Sequence, residues 1–505
     1  MKNSIIIFTR LPLLGETKSR LRDFLAPEAI QRLSQQLLEQ TYQRALAVDA
    51  DLRFSVTSAQ PHHSLKDVLD YDEAHAQVED QQGHSLGERM EHAMEQAKQA
   101  GYDKVVLIGS DLYDLTSNHL LSAFQALDHS DVVIAPTYDG GYGLIGWQTP
   151  HPELFAVEGY GGATVYQQLQ QKAHQLGLNL TELPKTHDID TKEDLVRLVS
   201  GDEAAHFLAQ GEYNANFLFN QDSELLRVAL GSQLHLEHQI DYEYHALEAL
   251  AISHVTPKPH KVVSFDERLQ AGYLVEEYLP GRALNYTTDW QIAAELLARV
   301  HRVPTERAPQ LIRAREPFAM MMAEFQTMFR HYQEWEGQDK QVTRRIQTLL
   351  DRLGCFDLNA SLENPCIINT ELNSSNFLIN HDATDSYIID WEKPLIGERE
   401  QDLGHFLAPT TTRWKTDDVF TEDGIARFVA VYNQHSDVLV NPHKLTQYLL
   451  FTCLRGLTWC AMAYVQYQTD DKVAKNEQTF HVIQTYLSDE FLTQIEQYFD
   501  TLLSE

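Results

Sequence analysis

Through the first two hundred residues, short apolar runs alternate with longer stretches in which apolar side chains recur at helical spacing. Residues 4–8, 53–57, 104–108 and 132–136 read as strands, and 27–48, 86–100, 116–127, 164–176 and the segment after Asp190 read as helices. Leu86, Met90, Ala93, Met94 and Ala97 fall on one helix face and are expected in the core. Strands that alternate with helices predict a mostly parallel sheet with helices on both faces.

Near residues 200–212 the pattern changes. Short strand-like runs at 217–220 and 225–230 precede a helix holding Glu243, and further strand-like runs follow at 262–265 and 272–278, which suggests a small antiparallel lobe. From Trp290 onward nearly everything reads as helix, except 365–391, where Phe377-Leu-Ile379 and Tyr387-Ile-Ile389 suit a hairpin. Two domains are expected, 1–203 and 211–505. A chain of 505 residues is too long for one ordinary core.

Charge narrows the chemistry. Against 73 Asp and Glu stand 40 Lys and Arg, a formal charge of −33, which repels polyphosphate backbones and argues against nucleic acid as a partner. Cys355, Cys366, Cys453 and Cys460 form no metal-ligand spacing and read as free thiols in a reducing compartment. A strand-like run follows the first lysine where a secretion signal would need an apolar stretch, so a cytoplasmic protein is expected. The apolar stretch 448–465 is interrupted by Arg455 and reads as a buried helix, with no membrane span.

Three predicted strand ends carry glycine beside charge, the place where open α/β sheets bind ligands. The first runs into Arg10, Lys18, Arg20 and Arg22, a basic cluster that is either an anion site or a solvated face. The third strand ends in Gly109-Ser110-Asp111, and 134–146 runs through Asp139-Gly140-Gly141, where missing Cβ atoms allow close approach of a ligand. Asp111 and Asp190 are the expected ligands of Mg²⁺ or Mn²⁺, since hard cations prefer carboxylate oxygen. As alternatives, Asp111 would form a turn and Asp190 would cap the following helix.

The first half resembles the GT-A-like family of rSAM/selenodomain-associated transferase 1, or arsenosugar-biosynthesis-type glycosyltransferases. The likeness rests on Gly15-Glu-Thr-Lys18-Ser-Arg20-Leu, Gln82-Gly83 with Leu86-Gly-Glu-Arg89-Met, Gly109-Ser-Asp111, Asp139-Gly-Gly-Tyr142 and Asp188-Ile-Asp190-Thr. Tyr113 stands where that family usually has proline. The resemblance implies a nucleotide or nucleotide-sugar site with Arg10, Lys18, Arg20, Gln82, Arg89, Asp139, Gly140 and Gly141 holding the nucleotide. It also implies Asp111 and Asp190 at the reaction centre, and a small-molecule acceptor.

The second half resembles aminoglycoside phosphotransferase and choline-kinase-like proteins, two-lobed α+β folds related to protein kinases. Glu276-Glu-Tyr-Leu-Pro-Gly281 matches the lobe hinge, Asn369-Thr-Glu371 with Asn376 the catalytic loop, and Ile388-Ile-Asp390-Trp-Glu392 with Asp402-Leu the metal segment. The resemblance implies ATP as partner, Asn376 and Asp390 as Mg²⁺ ligands, Glu371 as catalytic base, and Arg227 paired with Glu243. The family's loop reads His-Gly-Asp, whereas this chain has Asn369-Thr370-Glu371, with its carboxylate one methylene further out. Three functions stand open: glycosyl transfer from a nucleotide sugar beside a kinase-like half, a kinase joined to a nucleotidyltransferase, or a second half that binds ligands without catalysis.

Overall fold

The computed structural model describes residues 2–60, 62–211, 213–232, 234–469 and 476–504. The chain divides into two compact units. One comprises Met1–Gly211, Ala215–Asn220 and Phe265–Ala271, and the other Glu212–Asn214, Gln221–Ser264 and Gly272–Glu505.

The first unit is built on strands β1 (Asn3–Arg10), β2 (Asp51–Thr57), β3 (Ala76–Asp80), β4 (Lys104–Gly109), β5 (Val132–Pro136), β6 (Tyr142–Trp147) and β7 (Leu180–Glu182). Their spatial order is β3-β2-β1-β4-β6-β5-β7. β1 runs parallel to both β2 and β4, with Phe8 opposite Gly109. Helices α1 (Pro27–Leu46), α2 (Leu86–Gln99), α3 (Ser117–Ala126), α4 (Val165–Gln175) and α5 (Lys192–Ser200) connect them. Ile5 and Ile7 belong to one apolar core and Ile6 to another, as the alternation of side chains along a strand requires when both faces are covered.

β6 departs from the expected parallel arrangement. It pairs antiparallel with both β4 and β5. The cause lies in the glycine turn. Asp139 Oδ1 accepts the Gly141 N–H at 2.9 Å, and Gly140 sits at φ 92° with the Ala163 carbonyl oxygen 2.1 Å from where a Cβ would stand. Only glycine fits there, and so short a connection reverses the chain into a hairpin. The run 134–146 is thus two strands. β3 is a further strand without an apolar signature; only Ala76 of it is buried, as suits a sheet edge.

In the second unit, Glu224–Ala229, Pro259–Asp266 and Ala271–Glu277 form an antiparallel group in which Ala271–Glu277 is central. Helix Gln239–Leu250 carries Glu243. The expected hairpin is present: Phe377–Ile379 pairs antiparallel with Tyr387–Ile388. Arg282–Ala283 adds to this hairpin, and Cys366–Ile368 pairs antiparallel with Leu395–Gly397. The remainder is largely helical, centred on Pro442–Thr469, whose Phe451 and Tyr448 pack on Phe318 of Pro317–Glu334 at ring separations of 4.8 and 4.6 Å. By length and hydropathy alone that central helix qualifies as a membrane span, but 67% of the qualifying stretch is buried inside the fold. Its apolar surface is satisfied by the surrounding helices.

Candidate functional site

In the order β3-β2-β1-β4, the chain leaves β1 toward opposite sides, so a crevice opens at the carboxyl ends of β1 and β4. Thr9 at the end of β1 and Ser110 after β4 share a hydrogen bond of 2.8 Å between their hydroxyls, which locks the two ends together. Over this junction lies a cavity of about 380 Å³ lined by Arg10, Glu16, Lys18, Arg22, Arg89, Ser110, Asp111 and Asp190, among others. The loop after β1 brings in Lys18 at φ 46°, a left-handed conformation that turns its side chain inward, where it is 6% exposed. Its ammonium lies 3.8 Å from Asp111 and 3.7 Å from Asp190 and donates to the Ile189 carbonyl.

Carboxylates crowd one another around Asp188. Burial, then repulsion from Asp111, Asp139 and Asp190, pushes the Asp188 carboxyl up to about 7. Burial likewise raises Asp190, against the pull of Lys18. The helix-cap alternative for Asp190 does not hold, because Thr191 is the N-cap of α5 and closes a capping box with Asp194. That frees the Asp190 carboxylate for the cavity. Among the described residues no three His, Cys, Asp or Glu side chains are gathered closely enough to hold a metal ion as they stand.

Other expected residues lie elsewhere. Arg20 is exposed and acts on Asp190 only through its charge. Gln82, Asp139, Gly140 and Gly141 do not line the cavity; Asp139 and the glycines build the β5–β6 turn. Leu86, expected in the core, is 43% exposed at the start of α2 and lines the cavity instead. Gln81, which sequence reasoning passed over in favour of its neighbour, donates to the carbonyls of Thr9 and Ser55 and so braces β1 against β2 beneath the site.

In the second unit Arg227 is the hub. Its guanidinium lies 2.9 Å from Glu243, 2.8 Å from Asp390 and 2.5 Å from Glu392. Buried Glu276 also feels it. One cation cannot neutralise four carboxylates, and burial, the first cause in each case, pushes Glu276 and Glu392 up to about 7. Asp390 adopts φ 66°, and its Oδ2 accepts from the Asn376 amide at 3.4 Å, so the two expected metal ligands are adjacent.

The loop expected to be catalytic is held from behind. Fully buried Asp402 accepts the N–H groups of Asn369 and Thr370, each at 2.8 Å, and faces His301 Nε2 at 3.2 Å. These bonds fix Thr370 at φ 76°, a costly conformation for a β-branched residue. Asn369 donates to the Asp390 carbonyl at 2.8 Å, which ties the loop to the segment expected to hold metal. Glu371 Oε1 lies 2.7 Å from the Arg455 guanidinium and 3.9 Å from Lys393. In the sequence Arg455 registered only as a break in an apolar helix.

Two family models match separate stretches of the chain. A family described as an uncharacterized protein conserved in bacteria (DUF2064) matches residues 33–161, and the phosphotransferase enzyme family (APH) matches residues 205–447. A protein from Desulfovibrio desulfuricans G20 assigned as a nucleotide-diphospho-sugar transferase is 32% identical over 40% of this chain and 89% of its own, with a TM-score of 0.37. Spectinomycin phosphotransferase APH(9)-Ia, solved with ADP and spectinomycin, is 13% identical over 60% of this chain and 96% of its own, with a TM-score of 0.43. The GDP complex of aminoglycoside 2'-phosphotransferase-IIIa is 13% identical over 60% and 97%, with a TM-score of 0.44. No curated protein matches the chain.

Proposed function

From a chain that is a transferase, whose first unit belongs to the family of the Desulfovibrio protein and whose second unit is an APH-type phosphotransferase domain, we propose two nucleotide-using transfer sites. The first moves a sugar from a nucleotide-diphospho sugar to a small acceptor. The second moves the γ-phosphoryl group of ATP to a small alcohol.

The observation that carries the first assignment is the cavity at the β1–β4 junction, where Arg10, Lys18, Arg22 and Arg89 meet Asp111 and Asp190. Guanidinium and ammonium groups suit a diphosphate, whose leaving group gains charge as the sugar departs. Asp111 and Asp190 suit Mg²⁺ or Mn²⁺, since the carboxylates outnumber Lys18; the cation would supply further compensation for the departing diphosphate. In the second site Asn376 and Asp390 would hold Mg²⁺. There the acceptor oxygen bonds to the γ-phosphorus, the bridge from that phosphorus to ADP breaks, and the hydroxyl proton passes to Glu371. Arg455 fixes the direction of that carboxylate.

The test is to supply the protein with individual nucleotide sugars and nucleoside triphosphates in Mg²⁺ or Mn²⁺ and identify the products. A nucleoside diphosphate together with a glycosylated acceptor supports glycosyl transfer. Pyrophosphate in its place would mean nucleotidyl transfer, with the second unit supplying the phosphorylated substrate.

A further inference from the structure

Two cavities, one of about 260 Å³ and one of about 270 Å³, share Arg455, Thr452 and His405 as lining, and Glu371 lines the larger. The smaller contains Lys393, Gln401 and Glu324 along with the apolar surfaces of Met320 and Met321. What marks it is the number of hydrogen-bonding groups left unspent. Lys393 is 18% exposed, yet its ammonium stands 3.7 Å from Glu324 and 3.9 Å from Glu371, and among the described residues no acceptor lies within hydrogen-bond distance. Arg455, 20% exposed, uses two of its donors, on the Thr370 carbonyl at 3.2 Å and on Glu371, while its Nε remains 3.7 Å from Glu324. The Gln401 Oε1 atom is buried and has no hydrogen-bond partner among the described residues. Unpaired donors and acceptors in a part-buried cavity cost free energy that a matching ligand recovers.

We propose that this cavity receives an oxyanion carried by the acceptor, so that the second unit acts on a hydroxylated carboxylate or phosphate ester, such as a sugar acid or sugar phosphate. The oxyanion takes the free N–H groups of Lys393 and Arg455, and a neighbouring hydroxyl donates to Gln401. The carbon skeleton rests on Met320 and Met321, while a further hydroxyl extends past Arg455 toward Glu371 in the adjoining cavity. A polycationic amine would meet two cations that are less exposed than the carboxylates pairing with them, so it is disfavoured. The assignment rests on the phosphotransfer reading of this unit for the identity of the ligand as acceptor, but the binding itself does not require ATP.

The test is calorimetric titration of the full chain, without nucleotide, with gluconate, glucose 6-phosphate, glucose and glucosamine. At least one anionic sugar is expected to bind about tenfold or more tightly than glucose and glucosamine, the margin of one charge-assisted contact. Lys393→Met should abolish that margin, Lys393→Arg should keep it, and Lys18→Ala, which alters the basic cavity of the other unit, should leave it in place. Gluconate alone binding identifies a carboxylate, and glucose 6-phosphate alone a phosphate. Equal affinity for charged and neutral sugars, no binding of either anion, or a margin that survives Lys393→Met overturns the proposal. A separate titration with Mg²⁺-ATP keeps the two readings apart. ATP turnover on neutral alcohols without anion binding removes only the oxyanion site, whereas anion binding without ATP binding removes only the phosphotransfer reading.

Discussion

Lys18 in the first unit and Lys393 in the second each stand between two carboxylates, and they are 6% and 18% exposed. They differ in what else holds them. Lys18 donates to the Ile189 carbonyl and is fixed by a loop whose geometry follows from the end of β1, so its charge is aimed before any ligand arrives. Lys393 has no acceptor within reach among the described residues. Preorganisation of the first kind suits a developing charge that must be met without rearrangement, and an unsatisfied ammonium of the second kind suits recognition of a group already charged. On the proposed functions, the same residue type in the same electrostatic setting would serve transfer in one unit and selection in the other.

That contrast breaks most sharply at Glu371. If Arg455 holds this carboxylate as a working base, Glu371→Gln lowers phosphoryl transfer by about 10²–10⁴-fold while nucleotide affinity stays the same, because a base acts on the acceptor hydroxyl and leaves the phosphates alone. Initial rates alongside Mg²⁺-ATP titration measure both. A variant with unaltered turnover would make Glu371 purely a partner for Arg455.

At the first site, Asp111→Asn preserves volume and removes one of the two charges facing Lys18. Sugar transfer is expected to fall about 10²–10³-fold, the range for losing one electrostatic element of a reaction centre. The loss should be deepest at limiting Mg²⁺ or Mn²⁺. Lys18→Ala should act more weakly, costing about 1.5–3 kcal/mol of nucleotide affinity for one charge-assisted hydrogen bond. Its deficit shrinks as salt is raised, and an unchanged affinity at low salt would return Lys18 to a structural role.

Much of this was legible in sequence. The strand ends that carry Arg10, Lys18 and Asp111 follow from residue types at particular spacings, whereas the order of the kinase-like segments and the pairing of Arg227 with Glu243 came from the family resemblance. Asp139, Gly140 and Gly141 illustrate the limit: glycine permits either close ligand approach or a tight reversal, and only the position of Ala163 decides for the reversal. Arg455 and Lys393 were invisible as site residues because a helix interior and a loop after Trp391 give no local sign of converging on Glu371. Contacts between residues far apart in the chain leave no periodic trace.

The smallest expected effect concerns the acidic surplus around Arg227. Glu276 is buried on its strand and pushed up to about 7, first by burial and then by Asp390, against the pull of Arg227. A carboxyl raised in the folded state holds its proton more tightly there than in the unfolded chain, so its contribution to stability declines as pH rises from about 4.5 to about 7. His405 works in the opposite sense. Burial, then Arg455, lowers it to about 4, and its contribution is lost as pH falls from about 6.5 toward 4. Below about 6.5 the two oppose each other, and between pH 6.5 and 7.5 the histidine of the unfolded chain loses its remaining charge while the acid is still titrating, so that step is where the acid's share outweighs the histidine's. Over that step the second unit should lose about 1 kcal/mol or less, and Glu276→Gln, which copies the protonated carboxyl, should flatten part of the slope. Urea unfolding followed by tryptophan fluorescence reads this unit selectively, because only Trp147 lies in the first and Trp290, Trp335, Trp391, Trp414 and Trp459 lie in the second. A slope identical in wild type and variant would mean that Glu276 is ionised across the window and that Arg227 serves it in preference to Glu392.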